Sequence, residues 1–249
     1  MGPPRRRGGP AVTAVARRTR RSTGRLRALA ADGADRLGQA GAEEVLAWAA
    51  ATFPGTLTVA SSMETSVLPH LVSQQVPGVD VLFLDTGYHF AETLGARDEV
   101  AHTLDVTVVD VRPERTVAQQ DVEHGPRLHE RDPAACCRMR KVEPLRAALA
   151  GYECWVTGVR REESASRADT PLVAFDETNG LVKVNPLAAW SADDVLGYGL
   201  RHRLPVNLML SSEYPSIGCA PCTARVEPGA HPRSGRWSGM SKTECGIHG

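Results

Sequence analysis

The sequence lacks a net charge, a long apolar run and an internal repeat. Its 249 residues carry 29 basic and 29 acidic side chains, so the overall charge favours neither nucleic acid nor a membrane surface as a partner. No stretch of about 18 apolar residues occurs, which argues against a transmembrane helix. With 42% hydrophobic residues, the chain can build one large domain or two small ones.

Acidic side chains are also absent from the first 27 residues, which contain nine arginines. An arginine-rich segment with glycine and proline predicts a disordered tail, here residues 1–24. A transit peptide and a basic arm that binds an anionic partner are the alternatives. A twin-arginine export signal is excluded because the sequence after the arginines is too polar. We therefore expect a cytoplasmic protein, and its oligomeric state, a homo-oligomer included, stays open.

Six cysteines without a secretory signal indicate a reducing compartment, where clustered cysteines more often bind metal or carry out redox chemistry than form structural disulfides. Four of them lie in two sequence pairs, Cys136 with Cys137 and Cys219 with Cys222. Four thiolates suit a [4Fe–4S] cluster or tetrahedral zinc. Adjacent cysteines diverge along a regular helix, so a bulky cluster is favoured over one small ion. Free buried thiols or a reversible disulfide are the remaining alternative.

Apolar runs alternate with helical patterns between residues 42 and 203. Buried strands are predicted at 56–61, 79–85, 105–111 and 153–158. Continuous apolar strands separated by helices are typical of an α/β fold with a mostly parallel sheet flanked by helices. We predict one such domain over residues 25–225, followed by a flexible tail, residues 226–249, that is rich in glycine, proline and serine.

Ligands of parallel sheets bind beyond the carboxyl ends of the strands, where Ser61 and Ser62 follow the first strand in the sequence "VASSMETSVL". Hydroxyls and free backbone N–H groups at such a helix start can bind an anion. The spacing partly matches the S-G-G-x-D-S phosphate loop of nucleotide pyrophosphatases. Ser62 and Met63 replace its glycines, and Thr65 replaces its acid. A simple capped helix is the alternative.

The sequence "VTGVRREESASRAD" places Arg160 and Arg161 beyond the fourth predicted strand. A guanidinium group binds phosphate or sulfate oxygens through a fork of N–H groups. Both arginines are therefore candidate substrate-binding residues. Surface ion pairs with Glu162 or Glu163 are the alternative.

The predicted tail carries a thiol, Cys245, in the sequence "KTECGIHG". Arg233 and Arg236 precede it, and cationic neighbours stabilise a thiolate and bind anions. Lys141, one of three lysines in the chain, would share a helix face with the adjacent cysteines. There it could tune a metal centre or hold an anionic substrate. A disordered basic tail and a solvated lysine are the corresponding alternatives.

Five sequences, "CCRMRKVEPL", "TGVRREES", "YPSIGCAPCT", "GRW" and "ECGIH", occur in this order and together resemble the assimilatory adenylylsulfate (APS) reductases, relatives of the phosphoadenylylsulfate (PAPS) reductases. The resemblance covers residues 40–249 and implies an adenine-nucleotide α-hydrolase-like fold of the PP-loop type. It also implies Cys245 as the nucleophile and a [4Fe–4S] cluster on Cys136, Cys137, Cys219 and Cys222. The four-cysteine set is typical of APS-using members, whereas PAPS-specific relatives usually lack it. The chain departs from the family at Thr65, where relatives often carry an acid.

The resemblance further implies a reaction. The Cys245 thiolate would attack the sulfur of APS, AMP would leave, and thioredoxin or a similar dithiol would then release sulfite, on the route from sulfate to cysteine biosynthesis. The cluster would order the site and add electrostatic help without passing electrons. A mobile tail lets the thiol enter the pocket and leave it again. The substrate would be bound by Ser61, Ser62, Lys141, Arg160, Arg161, Arg233 and Arg236.

Two other functions fit parts of the sequence. A nucleotide-adenylating pyrophosphatase of the same fold would use Mg²⁺ and ATP and would give no role to Cys245. A non-enzymatic zinc- or cluster-binding interaction protein would use the basic N-terminal arm as its working surface. Within the reductases, PAPS is the nearer alternative substrate.

Overall fold

Six short strands form a single sheet at the centre of the protein. The computed structural model describes residues 20–240 and 242–248. In these ranges the strands are β1 (Leu57–Ala60), β2 (Val79–Leu84), β3 (Val106–Val111), β4 (Cys154–Thr157), β5 (Val173–Asp176) and β6 (Leu181–Val184). Their spatial order is β3-β2-β1-β4-β6-β5, and every neighbouring pair is parallel except β5 with β6. The predicted α/β fold with a mostly parallel sheet is confirmed.

Nine α-helices accompany the sheet in the described ranges. They are α1 (Thr23–Leu37), α2 (Ala42–Thr52), α3 (Val67–Ser73), α4 (Ala91–Thr103), α5 (Val117–His124), α6 (Leu128–Arg131), α7 (Pro133–Cys137), α8 (Glu143–Leu149) and α9 (Ala192–Arg201). A π-helical segment, Arg138–Val142, joins α7 to α8. None of these helices has the length and apolar character needed to cross a membrane.

The central parallel strands β1, β2 and β4 are buried on both faces, whereas the edge strand β3 is only half-buried. Val59, Val81 and Val156 lie in register and belong to the larger apolar core, which α1 to α4 and α9 complete. Leu82 and Trp155 belong to a second core on the opposite face, which α8 covers. Because successive side chains of a strand point to opposite faces, burial on both faces requires continuous apolar runs.

The hairpin of β5 and β6 is an element that the sequence analysis did not predict. Its strands have four residues each, and the charged residues Asp176 and Lys183 interrupt their apolar pattern. The turn depends on Gly180, which has a φ of 70°, a conformation that glycine adopts without strain. The hairpin extends the sheet beyond β4 with one antiparallel edge strand.

The predicted disordered tail, residues 1–24, lies mostly outside the described residues. Its described end is part of the fold. Ser22 caps α1, which begins at Thr23, and Arg21 binds the buried Glu153, with Nε and Nη2 at 2.9 and 2.6 Å from Oε2. Burial opposes the ionisation of Glu153, but the hydrogen bonds from Arg21 outweigh it and lower its pKa. The folded domain therefore begins before residue 25.

The sheet topology defines where a ligand is expected. From β1 the strand order runs through β2 to β3 on one side, and the chain then crosses to β4 on the other side of β1. Such a reversal opens a crevice beyond the carboxyl ends of the two central strands. Here those ends are Ala60 and Thr157.

The packing of α1 against α2 and β5 predicts that Gly33→Ala destabilises the protein by about 1 kcal/mol. A Cβ at Gly33 would lie 2.6 Å from two ring atoms of Trp48 and 3.1 Å from Val173 Cγ1. This crowding exceeds the helix propensity gained on replacing glycine by alanine. Gly24→Ala in the same helix is the control, because a Cβ there meets nothing within 4 Å. Urea unfolding compares the two, and a Gly33→Ala variant as stable as the control would contradict this packing.

Candidate functional site

The adjacent cysteines lie at the end of α7, where the helix becomes distorted. Asp132 caps α7 by accepting a hydrogen bond from Ala135 N at 2.8 Å, and Pro133 occupies its first position. Directly after Cys137 the helix widens to π geometry over Arg138–Val142. Such turns are rare and are frequent at functional sites. The distortion thus follows the cysteine pair immediately.

One small cavity brings the two cysteine pairs together. It is lined by four buried free thiols, those of Cys136, Cys137, Cys219 and Cys222. The second pair is fixed against the turn after β2, because Ala220 N donates to Tyr88 O at 2.7 Å. Thr86 Oγ1 also lies 3.3 Å from Cys219 Sγ.

Three of the four thiols, those of Cys136, Cys137 and Cys222, are hard to ionise. Burial and the negative charge of the other three cysteines raise the pKa of Cys136 to about 12. Burial, with the charges of Cys219 and Cys137, raises the pKa of Cys222 to about 11. Burial likewise raises the pKa of Cys137. Positive charge within the cavity would favour the thiolate form of these three groups.

The donor set fits an iron–sulfur cluster. Thiolates select soft centres such as zinc, copper(I) and iron–sulfur clusters, and the cavity offers four of them with no carboxylate among its lining residues. In the part of the chain that the structure describes, no three His, Cys, Asp or Glu side chains are placed to hold one metal ion.

A cleft beyond the carboxyl ends of β1 and β4 collects most of the predicted substrate-binding residues. It is lined by Ser61, Ser62, Lys141, Arg160, Arg233, Arg236 and Cys245. Arg161 does not line it. Its Nε donates to Thr170 O at 2.9 Å, so this side chain braces the loop after β4. Arg167, from the same motif, lines the cleft instead.

Lys141 lies between the cysteine cavity and the cleft and lines both. Burial alone would lower its pKa, but the charges of Cys219, Cys245 and Cys137 outweigh burial and raise the pKa above its usual value. Lys141 is therefore a fixed positive charge between the two cavities.

The turn after β1 is shaped by its two serines. Ser61 Oγ accepts from Met63 N at 3.2 Å, and Ser62 Oγ accepts from Glu64 N at 3.4 Å. Met63 has a φ of 57°, in the left-handed region that glycine enters at little cost. This explains why the S-G-G-x-D-S loop has a glycine at that point.

Two guanidinium groups in the cleft have unused donors. Arg236 Nε is buried and has no hydrogen-bond acceptor among the described residues. Arg160 Nε is also buried without a hydrogen bond, and it lies 3.5 Å from Glu162 Oε1 in an ion pair. The side chain of Arg236 lies over the ring of Trp237, 4.8 Å from its centroid, and it passes so close to Gly218 that any Cβ there would collide with it. An anionic ligand in the cleft would satisfy these donors.

The tail carries its thiol into the cleft. Cys245 is half-buried and packs beside the cysteine cavity. His248, which the sequence analysis did not include among the site residues, lines the cleft and stacks on Trp155 with ring centroids 5.9 Å apart. Burial and the charge of Lys183 hold the pKa of His248 well below its usual value, so its ring is neutral. The flexibility predicted for residues 226–249 stays a prediction.

Glu64 is a further residue of the cleft that the sequence analysis did not select. Its Oε2 accepts a hydrogen bond from Ile217 N at 2.8 Å, and burial raises its pKa. This bond joins the turn after β1 to the segment that carries Cys219 and Cys222. The sequence does contain a signal for this residue, because Glu64 lies one position before Thr65, which replaces the acid of the S-G-G-x-D-S loop.

Several known proteins are similar to this chain in sequence and fold. The phosphoadenosine phosphosulfate reductase domain family matches residues 56–225. An adenosine 5'-phosphosulfate reductase of Streptomyces coelicolor is 54% identical over 229 residues, which cover 92% of this chain and 97% of the relative. The crystal structure of a phosphoadenylyl-sulfate (PAPS) reductase from Candida auris in complex with phosphate has a TM-score of 0.65 and 27% identity, covering 79% of this chain and 96% of that chain. An FMN adenylyltransferase of Candida glabrata, bound to FMN and an ATP analogue, shares the fold alone. Its TM-score is 0.53 and its identity 11%, and the match covers 82% of this chain and 75% of that chain.

The bond between Glu64 and Ile217 predicts different outcomes for two substitutions. Glu64→Ala removes the acceptor of a backbone N–H group and is expected to lower the free energy of unfolding by about 1–3 kcal/mol. Glu64→Gln keeps an acceptor oxygen and should cost less than about 1 kcal/mol. Urea unfolding measures both, and equal losses would show that the hydrogen bond contributes nothing.

Proposed function

Because this chain belongs to the phosphoadenosine phosphosulfate reductase family, we propose that it reduces adenylyl sulfate (APS) to sulfite and AMP with electrons from thioredoxin. The position of Cys245 carries the proposal, since it places a thiol in a cleft lined by Lys141, Arg160, Arg233 and Arg236. A nucleophile among cations at the strand ends suits a doubly anionic substrate with an electrophilic sulfur.

In the first step the thiolate of Cys245 attacks the sulfur of the sulfate group. An S–S bond forms, the bond between sulfur and the bridging oxygen breaks, and AMP leaves with both bonding electrons. The product on the enzyme is S-sulfocysteine. The unused N–H groups of Arg160 and Arg236 can bind the oxygens on which negative charge collects.

In the second step a thiolate of thioredoxin attacks Sγ of the modified Cys245. Sulfite leaves with the electron pair of the S–S bond, and a mixed disulfide forms. The second thiol of thioredoxin then displaces Cys245 as a thiolate. Both electrons that reduce the sulfur come from the dithiol, so the balance needs no other donor. The sulfite is the intermediate of assimilatory sulfate reduction that is then used for cysteine biosynthesis.

The cofactor in this proposal is a [4Fe–4S] cluster held by Cys136, Cys137, Cys219 and Cys222. When bound, it supplies the positive charge that the four thiolates require and fixes their two segments together. Lys141 lines both cavities, and its ammonium group holds an anion on the cleft side. The four-cysteine set favours APS over PAPS as substrate. Localisation in the cytoplasm and the oligomeric state stay predictions.

The nucleophile can be identified by mass spectrometry of the tryptic peptide 243–249. Protein purified without oxygen and incubated with APS but no reductant is expected to gain one SO₃ group on Cys245. Thioredoxin should remove it with release of sulfite. Cys245→Ser should abolish the adduct, whereas Cys154→Ser, a change at a fully buried thiol of β4, should retain it on Cys245.

Other outcomes would identify the rival functions. An adduct formed from PAPS but not from APS would keep the mechanism and change the substrate. ATP pyrophosphatase activity that survives Cys245→Ser would contradict the reductase and support a nucleotide-adenylating enzyme. Loss of function on deletion of residues 1–19, with cleft variants unaffected, would support the interaction protein.

The cluster predicts about four iron and four sulfide per chain in protein purified without oxygen. Cys219→Ala is expected to lose iron and the visible absorbance, and Cys154→Ala should keep both. Stoichiometric zinc in place of iron would contradict the cluster. A change of cluster redox state during turnover, followed by electron paramagnetic resonance, would contradict its non-redox role.

A further inference from the structure

We propose that Glu244 is a latch that holds the tail closed and positions Cys245 in the cleft. The Glu244 carboxylate binds Arg167 in a bidentate fork, with Nε 2.9 Å and Nη2 2.6 Å from its two oxygens. Arg233 Nη2 lies 3.3 Å from the same carboxylate. Both arginines also line the cleft, so the latch is built from the same cations that surround the thiol.

Two hydroxyl groups complete the binding of the carboxylate. Ser164 Oγ and Ser166 Oγ donate to Glu244 Oε1 at 3.2 and 3.3 Å. Four side chains from two loops therefore converge on one side chain of the tail. Convergence of this kind fixes a position more firmly than a single surface ion pair does.

The rest of the tail makes few polar contacts. Across the described residues 242–248 there is no hydrogen bond between backbone groups. The other polar attachments are Arg233 Nη2 to Thr243 O at 3.3 Å and Lys183 Nζ to His248 O at 3.1 Å. The end of the tail is held by apolar contacts, because His248 stacks on Trp155 and Ile247 packs against the second core. The carboxylate of Glu244 is therefore the polar attachment nearest to Cys245.

The positive charges of Arg167 and Arg233 stabilise the ionised carboxylate of Glu244 in the closed position. Burial opposes the ionisation of Glu244, but Arg167 and Arg233 outweigh it and lower its pKa. The side chain of Glu244 is 25% exposed and those of the two arginines 12%, so water screens the contact only partly. Since Glu244 directly precedes Cys245, fixing the carboxylate confines the thiol to within one residue length.

The variant Glu244→Gln removes the charge without leaving Arg167 unpaired, because Arg167 Nη1 still binds Glu163 Oε2 at 2.6 Å. Glu244→Asp keeps the charge with a shorter reach. The matched control is Glu177→Gln, which removes the carboxylate of an exposed ion pair with Arg27, away from the cleft.

The closed position can be measured without any substrate. Iodoacetamide modifies Cys245 in the folded protein, and the limiting rate at high pH, where the thiol is fully ionised, is divided by that of the same variant unfolded in urea. Differences in thiol ionisation then do not enter the ratio. We expect Glu244→Gln to react about tenfold faster than the native protein on this scale, Glu244→Asp to fall between them, and Glu177→Gln to match the native protein. A Glu244→Gln rate within twofold of the control would overturn the latch.

A double-mutant cycle assigns the effect to the Arg167 contact. Arg167→Gln is expected to lose most of the same protection, and the double variant should lose little more, because the two side chains act on one contact. Fully additive losses would overturn the pairing of Glu244 with Arg167.

The kinetic consequence rests on the proposed function. At saturating APS, Glu244→Gln should form the adduct on Cys245 about tenfold more slowly, with an unchanged or lower half-saturating APS concentration, because the arginines remain free for the anion. A higher half-saturating concentration with an unchanged maximal rate would make Glu244 a binding residue and overturn its positioning role. If the native protein forms no adduct, the proposed function fails, and the alkylation rates still decide whether the latch exists.

Discussion

The burial of four thiols in one small cavity is the constraint on which the rest of the site depends. Two of these thiols come from the end of α7 and two from a turn far along the chain. The turn after β2 holds the second pair in place through Tyr88 and Thr86, and the helix that carries the first pair changes its winding directly after it. The sheet, the helix distortion and the loop after Ile217 therefore all converge on one small cavity.

Opposing charges also determine the arrangement of side chains in the cleft. The cleft contains several cationic side chains close together, and carboxylates offset part of their charge. Arg167, for example, binds both Glu163 and Glu244. Arg160 Nε and Arg236 Nε make no hydrogen bond among the described residues. A chain with no net charge thus contains a cleft with a local excess of cationic side chains. Carboxylates of the protein and an anionic ligand can bind the same guanidinium groups there.

The sequence predicts those features that depend on short-range patterns. Four strands follow from continuous apolar runs, and Ser61 and Arg160 follow from their place after strands. What it misses depends on distant contacts. Arg160 and Arg161 are adjacent and chemically alike, yet only the loop conformation decides that Arg160 faces the cleft and Arg161 the backbone of Thr170. Glu244 gains its partners only when the tail meets the loop after β4, and His248 only when the tail meets Trp155 and Lys183 of the sheet.

The attachment of the tail determines where the transferred sulfur is held between the two steps of the proposed reaction. A thiol tethered by a short segment meets the cleft at an effective concentration that free thiols in solution do not reach. In the proposed reaction the sulfur then remains covalently bound to the polypeptide until a reductant arrives. The enzyme thereby holds its intermediate as part of its own chain, and no reactive sulfur species has to diffuse between the nucleotide and the reducing protein.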